Sequence, residues 1–458
     1  MYRTKTGYDC ATFVQGKLKR EFFLIAAAFF LLAFSGCVQN PGNTNAPPVS
    51  SAPVNTQNTN SNANANLAPP VVETADTSNV PITLPVVDAL LSDETFLGEV
   101  RKSVQPSDEQ LDKLKSAAHD AVVKLGEGDT QEGRSTRASI SDAEKQVRQI
   151  LGNENGDKFL SLARKHWSGG DVASAAKPNS VPTDTRIVVN APGYRMDIFR
   201  EGRLVKSYKI GIGYPEFPLP TGLRTAKTII FNPPWTPPDE PWVKGEFQPG
   251  KKVEAGSKKN PLGFIKIPIG LPSLIHGGKD PSRLGTFASH GCVGLTNPLV
   301  QDFAGELAKL SGLELTPAQI KGYEQKRSET KEVNLSQSVP VELRYETIVA
   351  QDGKLHIFRD VYEHGTNTEE NLQRVLQTYG LSMNDLSPEE QTKVRDALKK
   401  MATDPQGKPV DEEQASNTNR KPSTTDKVTR TIKGQKEIVV DIAALKGKGY
   451  PAPVNINS

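Results

Sequence analysis

The sequence predicts a mainly β central domain with short helices, flanked by small α-helical regions and disordered linkers. Three observations lead there. Between residues 185 and 358 apolar side chains alternate in short runs punctuated by Gly and Pro, which is the period of strands. On either side, in residues 84–167 and 369–398, the apolar spacing shifts to three and four and cap residues stand before the runs. Residues 40–70 and 403–433 are polar, with too little to bury to offset the entropy of ordering a chain. At 458 residues and 24% charge the protein is too long for one small module and too polar for a polytopic membrane protein.

The N-terminus reads as an address. Arg3, Lys5, Lys17, Lys19 and Arg20 precede thirteen apolar residues, 22–34, which end at Ser35, Gly36 and Cys37. A bilayer span needs about 20 such residues, so the run suits the apolar region of a secretory signal. Small residues before a cysteine resemble a bacterial lipobox, with Phe34 in place of the usual Leu. Residues 1–36 are therefore expected to be a lipoprotein-type signal peptide and Cys37 the lipidated first residue of an exported, membrane-anchored protein of the cell envelope or periplasm. A short uncleaved anchor is the plainer alternative. The lack of charge between Glu21 and Glu73 marks residues 37–83 as a disordered tether. The basic leader accounts for the whole net charge of +3. A neutral remainder has no general attraction for phosphate backbones, so nucleic acid is not expected as a partner.

Residues 84–170 form an expected helical region, with Ser107/Gln110 and Ser141/Glu144 as capping-box pairs and Leu111, Leu114, Ala118 and Leu125 at helical spacing. The strands follow: residues 187–189, then Tyr194, Met196 and Ile198, a turn at Glu201 and Gly202, and residues 204–212. Short strands at 225–231, 264–267 and 274–275 precede helices at 298–310 and after the Thr316-Pro317 cap. Residues 339–349 and 354–358 flank Asp352-Gly353, a second hairpin expected to return to the same sheet, which gives a domain over 184–361. Residues 368–402 read as a helical hairpin, with no basic residues placed to read bases, and 403–458 as a linker and tail with a short strand at 437–443.

The chemistry concentrates near one cysteine. Of three, Cys10 leaves with the signal and Cys37 would carry lipid, which leaves Cys292 in the folded part. In an oxidising compartment such a cysteine persists only where it is buried or used. Two of the six histidines, His276 and His290, fall within the 17 residues that end at Cys292. In Ser289-His290-Gly291-Cys292 the glycine allows close backbone approach and leaves amide groups to face an oxyanion. A thiol of pKa about 8.5 needs an imidazole within reach to supply thiolate at neutral pH.

These residues carry a resemblance. His276-Gly277, the loop with Pro281, Ser282 and Gly285, and Ser289-His290-Gly291-Cys292-Val293 resemble the catalytic signature of the L,D-transpeptidases that cross-link peptidoglycan. Pro220-Thr221-Gly222, the Asn232 to Pro238 stretch (NPPWTPP) and Asn260-Pro261-Leu262-Gly263 agree in order. The resemblance implies a β-sandwich or barrel in which Cys292 attacks the bond between the third residue and the D-alanine of a stem peptide, forming a thioester. His276 would be the base, oriented by a carbonyl such as that of Gly277, while Ser289 and His290 shape the site. The amides of Cys292 and Gly291, or a neighbour, would hold the oxyanion, each donor worth about 3 kcal/mol. No cofactor or metal is implied. The partners implied are peptidoglycan stem peptides and, through Cys37, a membrane. One position departs: Gly294 stands where the family usually has Arg, with Lys279 or Arg283 as candidate replacements. Trp235 and Trp242 are candidates for covering the cleft. Residues 184–309 hold 17 Lys and Arg against 11 Asp and Glu, which suits an anionic polymer. Two other readings stay open. One is a catalytically impaired scaffold that binds peptidoglycan; the other is a metal site built from His276, His290 and Cys292.

Overall fold

The computed structural model describes residues 80–123, 125, 132–168, 177–235, 253–254, 257, 260–270, 273–405, 407, 427–429 and 431–456. The expected signal peptide, Cys37, most of the tether and Trp242 lie outside them.

Five helices open the described chain: α1 (Leu84–Leu91), α2 (Glu94–Ser103), α3 (Asp108–Val123), α4 (Thr136–Leu151) and α5 (Asn153–Trp167), with a short strand β1 (Glu132–Arg134) between α3 and α4. They close on Val86, Phe96, Leu111, Leu114, Val147, Phe159 and Trp167. The expected capping box starts α3, where the Ser107 N–H donates to Gln110 Oε1 at 3.0 Å and the Gln110 N–H to Ser107 Oγ at 3.1 Å. The second expected box is not a cap. Ser141 lies inside α4, whose cap is Ser135, accepting from the Ala138 N–H at 3.1 Å. Glu144 instead binds Arg148 and Arg164, which ties α4 to α5. The end of the expected tether is also ordered: Ile82 and Thr83 are fully buried, and Thr83 caps α1.

The central sheet has eight strands. In chain order they are β2 (Arg186–Asn190), β3 (Arg195–Arg200), β4 (Arg203–Lys209), β6 (Gly222–Phe231), β7 (Ile265–Pro268), β8 (Leu274–His276), β10 (Val293–Gly294) and β11 (Lys331–Arg344). Across the sheet the order is β10-β8-β7-β6-β11-β2-β3-β4, parallel at β10/β8 and β11/β2 and antiparallel elsewhere. A small parallel pair, β5 (Ile212–Gly213) with β9 (Phe287–Ser289), adjoins it through the Gly211–Gly294 bridge. The expected hairpin turn between β3 and β4 is present, with Glu201 and Gly202 both at positive φ. Helix α6 (Asn297–Leu310) lays Val300, Phe303, Ala304 and Leu307 on Ile265, Ile267, Ile275 and Val293 to form the sheet core. Helix α7 (Pro317–Gln325) starts at the full capping box of Thr316 and Gln319.

The second hairpin forms but does not rejoin the large sheet. Strands β12 (Ile348–Gln351) and β13 (Lys354–Phe358) turn at Asp352 and Gly353, both at positive φ, and β13 pairs with β15 (Glu437–Asp441) in a separate three-stranded sheet. The reason is the partner of their apolar face. Ile348, Ala350, Leu355 and Ile357 meet Leu372 and Leu376 of α8 (Glu369–Thr378) and Val394 and Leu398 of α9 (Pro388–Met401). The two helices are thus a layer on this sheet rather than a free-standing helical hairpin. Strand β14 (Lys427–Thr429), in the expected linker, pairs with β1.

The two cap assignments in α4 separate experimentally. Ser135→Ala is expected to cost about 1 kcal/mol in chemical denaturation and Ser141→Ala less than about 0.5 kcal/mol. Equal losses would restore Ser141 as the cap.

Candidate active site

The register of β8 against β10 places the two central side chains. Val293 lies opposite Ile275, and Gly294 opposite His276. Side chains alternate along a strand, so Ile275 and Val293 enter the sheet core while Leu274, His276 and Cys292 share the other face. There Cys292 is fully buried against Trp235, Leu262 and Leu274.

The turn carrying Cys292 is closed by a side chain. Ser289 Oγ donates to the Cys292 carbonyl at 2.5 Å and accepts the Cys292 N–H at 3.1 Å. Ser273 Oγ donates to the Gly291 carbonyl at 3.0 Å. Gly291 has φ +72°, and a Cβ there would stand 3.1 Å from the Phe217 ring, so the turn needs glycine twice over. Cys292 Sγ lies 3.7 Å from the His290 carbonyl oxygen. The His290 ring packs edge-on against Tyr214 at 5.0 Å between centroids and against Phe217 at 6.5 Å. Of the two amides expected at an oxyanion, that of Cys292 is already donated to Ser289. The Gly291 N–H has no acceptor among the described residues.

His276 Nδ1 sits 2.8 Å from the Gly277 carbonyl oxygen. A carbonyl only accepts, so Nδ1 carries the hydrogen and Nε2 the lone pair, which is the tautomer of a base. Burial, reinforced by the Lys279 charge, pushes the imidazole pKa down to about 3, against the pull of the Gly277 and Pro261 carbonyls. Gly277 itself is required by close packing, since a Cβ would meet Asn297 Oδ1 and Val300 Cγ1, each at 2.7 Å.

Sequence reasoning missed Asn297. Its Oδ1 accepts the Gly278 N–H at 3.0 Å and the Phe264 N–H at 3.2 Å, which fastens the loop after His276 to the start of β7. The available signal was an amide side chain directly before a helix-opening proline. Asn260, from the motif before the histidine, does similar work: Nδ2 donates to the Pro233 carbonyl and Oδ1 accepts the Leu262 N–H, both at 2.9 Å.

The remaining candidates divide. A Cβ on Gly294 would fall 2.8 Å from Lys279 Cγ and 3.3 Å from its Cε, so the Lys279 stem lies where a side chain at 294 would be. Arg283 instead reaches Tyr214 Oη at 3.4 Å. Trp235, only 1% exposed, is a wall against the sulfur and not an open stacking platform. Cys292 is disulfide-bonded in this structure, so its role as a nucleophile concerns the reduced protein. Among the described residues no three His, Cys, Asp or Glu side chains gather into a metal-binding group. A cavity of about 680 Å3 between α6 and α7, lined by Phe264, Gln301, Ile320 and Glu324 among others, includes none of these site residues.

Residues 184–320 match the YkuD family, the L,D-transpeptidase catalytic domain. The match covers less than a third of the chain. Similar solved structures include the L,D-transpeptidase from Mycobacterium smegmatis, 16% identical over 35% of this chain and 58% of its own at a TM-score of 0.21. The catalytic domain of the Enterococcus faecium L,D-transpeptidase is 18% identical over 36% of this chain and all of its own, also at 0.21. L,D-transpeptidase 3 from Mycobacterium tuberculosis, in complex with a faropenem-derived adduct, is 14% identical over 35% and 60%, again at 0.21. This chain spans 49% to 60% of the length of the longer solved chains. No curated protein matches it.

A buried neutral imidazole has a pH signature. The unfolded chain protonates His276 near its ordinary pKa of about 6.5 and the folded chain only near 3. Its contribution to stability is therefore complete above pH 6.5 and is lost as pH falls toward 3. Thermal melts are expected to show the wild type losing more stability than His276→Gln between pH 7 and pH 4.5. Parallel profiles would place a protonated imidazole in the fold.

Proposed function

We propose that the 184–361 region is an L,D-transpeptidase that acts on peptidoglycan stem peptides through a thioester on Cys292. The observation that carries this reading is the placing of His276 and Cys292 on one face of paired strands, with the imidazole tautomer set by the Gly277 carbonyl.

The reaction starts from reduced Cys292. His276 Nε2 takes the thiol proton, and the thiolate attacks the carbonyl that joins the diaminopimelate L-centre at position three to D-alanine at position four. The carbonyl oxygen becomes an oxyanion facing the Gly291 N–H. The C–N bond breaks, the leaving amine receives the proton from His276, and D-alanine departs. An acceptor amine then attacks the thioester, gives a proton to His276 and releases the thiol with the new amide bond formed. A second stem peptide gives a cross-link, a lipoprotein lysine an anchor, and water a carboxypeptidase product. A nearby thiolate raises the proton affinity of His276 above its level beside a disulfide, because opposite charges stabilise each other. Lys279, lying over Gly294, supplies the cation for the anionic stem; Arg283 is the less favoured candidate because it is directed to Tyr214.

The form proposed to carry out this reaction is exported, lipid-anchored through Cys37, and reduced at Cys292. The impaired-scaffold reading rests on a different observation, the full burial of a disulfide-bonded Cys292.

Mass analysis of products from purified tetrapeptide stems decides between them. Reduced wild type is expected to release D-alanine, with activity lost without reductant in unprocessed protein and lowered at least about 1000-fold by Cys292→Ala. Folded, reduced protein that yields neither product nor a carbapenem adduct on Cys292 would be a scaffold. Lys279→Gln is expected to raise KM about tenfold while kcat changes little, and Arg283→Ala to leave both within about twofold.

A further inference from the structure

We infer that Phe217 is a positioning residue through which the N-terminal helices hold the turn that carries Cys292. The inference deepens the proposed function by giving the helical region a part in the reaction.

Phe217 belongs to the loop between β5 and β6, yet it packs in the helical core and is fully buried there. Its ring stacks on Trp167, the last residue of α5, at 6.2 Å and 25°. It also contacts the turn that carries Cys292, through the His290 ring and the space over Gly291 where a Cβ would be 3.1 Å away. One aromatic ring therefore bridges α5 and the residue before the nucleophile.

The loop backbone is held on all sides. The Tyr214 N–H donates to the Ser289 carbonyl at 2.8 Å, and the Phe217 N–H to the Tyr214 carbonyl at 2.9 Å. Two carbonyls receive helix-region hydroxyls, Pro215 from Thr136 Oγ1 at 2.8 Å and Glu216 from Thr83 Oγ1 at 2.6 Å. Arg224 of β6 donates to the Trp167 carbonyl, so the end of α5 is tied to the sheet as well. From the opposite side Tyr362 Oη donates to the Gly213 carbonyl at 2.9 Å and accepts the Leu219 N–H at 3.2 Å. A Cβ on Gly213 would fall 2.4 Å from the Phe217 carbonyl oxygen and 3.1 Å from Gly291 Cα, so loop and turn touch backbone to backbone. Interiors this close-packed transmit displacement instead of absorbing it. Removing the Phe217 ring leaves Gly291, a residue at positive φ, without its support.

The test uses the reduced full chain with two readouts, D-alanine release and the rate and pH dependence of Cys292 alkylation by iodoacetamide. Phe217→Ala is expected to lower kcat at least about tenfold with KM within about threefold, and to shift the alkylation rate and its pH midpoint. Phe217→Leu should recover part of both effects. Phe159→Leu, in the same helical core, serves as the control that lowers melting temperature without moving either readout. Should Phe217→Ala fail to fold, Thr136→Val removes one hydroxyl from the loop and is expected to lower kcat about threefold. Folded variants of Phe217 or Thr136 that match the control in both readouts overturn the inference. If the wild type releases no D-alanine, the proposed function fails, and the alkylation comparison still decides the role of Phe217.

Discussion

The parallel pairing of β8 with β10 is the constraint from which the site follows. Because side chains alternate with period two, this register puts Cys292 and His276 on one face and sends Ile275 and Val293 into the core. A slip by one residue would bury the imidazole among aliphatic side chains and leave a valine in place of the sulfur. Two short strands cannot hold such a register alone. It is fixed by β7 on one side, by α6 packed on the core face, and by Asn297, which accepts two amides from the loops that flank β7 and β8.

A second layer of restraint comes from backbone accounting. Buried peptide groups away from regular structure need partners. In the loop between β5 and β6 those partners arrive from four separate segments: Thr83, Thr136, Ser289 and Tyr362. Three of these are hydroxyls, which can rotate and satisfy a carbonyl without bringing charge into the interior, and the fourth is the Ser289 carbonyl, which accepts the Tyr214 N–H. The result joins helices, sheet and C-terminal region around a few residues that touch the turn carrying Cys292. The helices are therefore built into the sheet domain rather than strung beside it.

Much of this was legible from the residues. Strand periodicity and the Glu201-Gly202 turn gave the β2–β3–β4 meander, because a half-buried strand and a tight turn are both local patterns. The cluster of His276, Ser289, Gly291 and Cys292 was legible because its chemistry is written in residue type and order. What failed was decided by tertiary partners. Ser141-x-x-Glu144 has the form of a cap, yet Ser135 lies one residue ahead of where the chain turns helical, and Arg148 and Arg164 claim Glu144. The β12–β13 hairpin was correct as a hairpin, but its sheet is chosen by α8 and α9, whose apolar stripes carry no label for their target. Phe217 reads as one aromatic among prolines, and nothing local shows that its neighbours are Trp167 and Gly291.

Gly294 shows how a missing side chain can be a structural feature. The space that any other residue would fill is taken by the stem of Lys279, whose own backbone N–H donates to the Leu295 carbonyl at 3.0 Å. A cation thus reaches the strand opposite His276 from a loop, and its repulsion helps to keep the imidazole neutral. On the proposed function, a stem-peptide carboxylate that pairs with Lys279 cancels that repulsion, since an opposite charge within a few ångströms favours the charged form of its neighbour. The proton affinity of His276 then rises as substrate binds, and the base strengthens when there is a bond to break. An arginine rooted on the strand itself would bring a planar fork able to hold a carboxylate at two points, whereas Lys279 offers one strongly hydrated charge on a flexible stem. On the proposed function, glycine at 294 thus exchanges geometric grip on the substrate for a cation that can follow it.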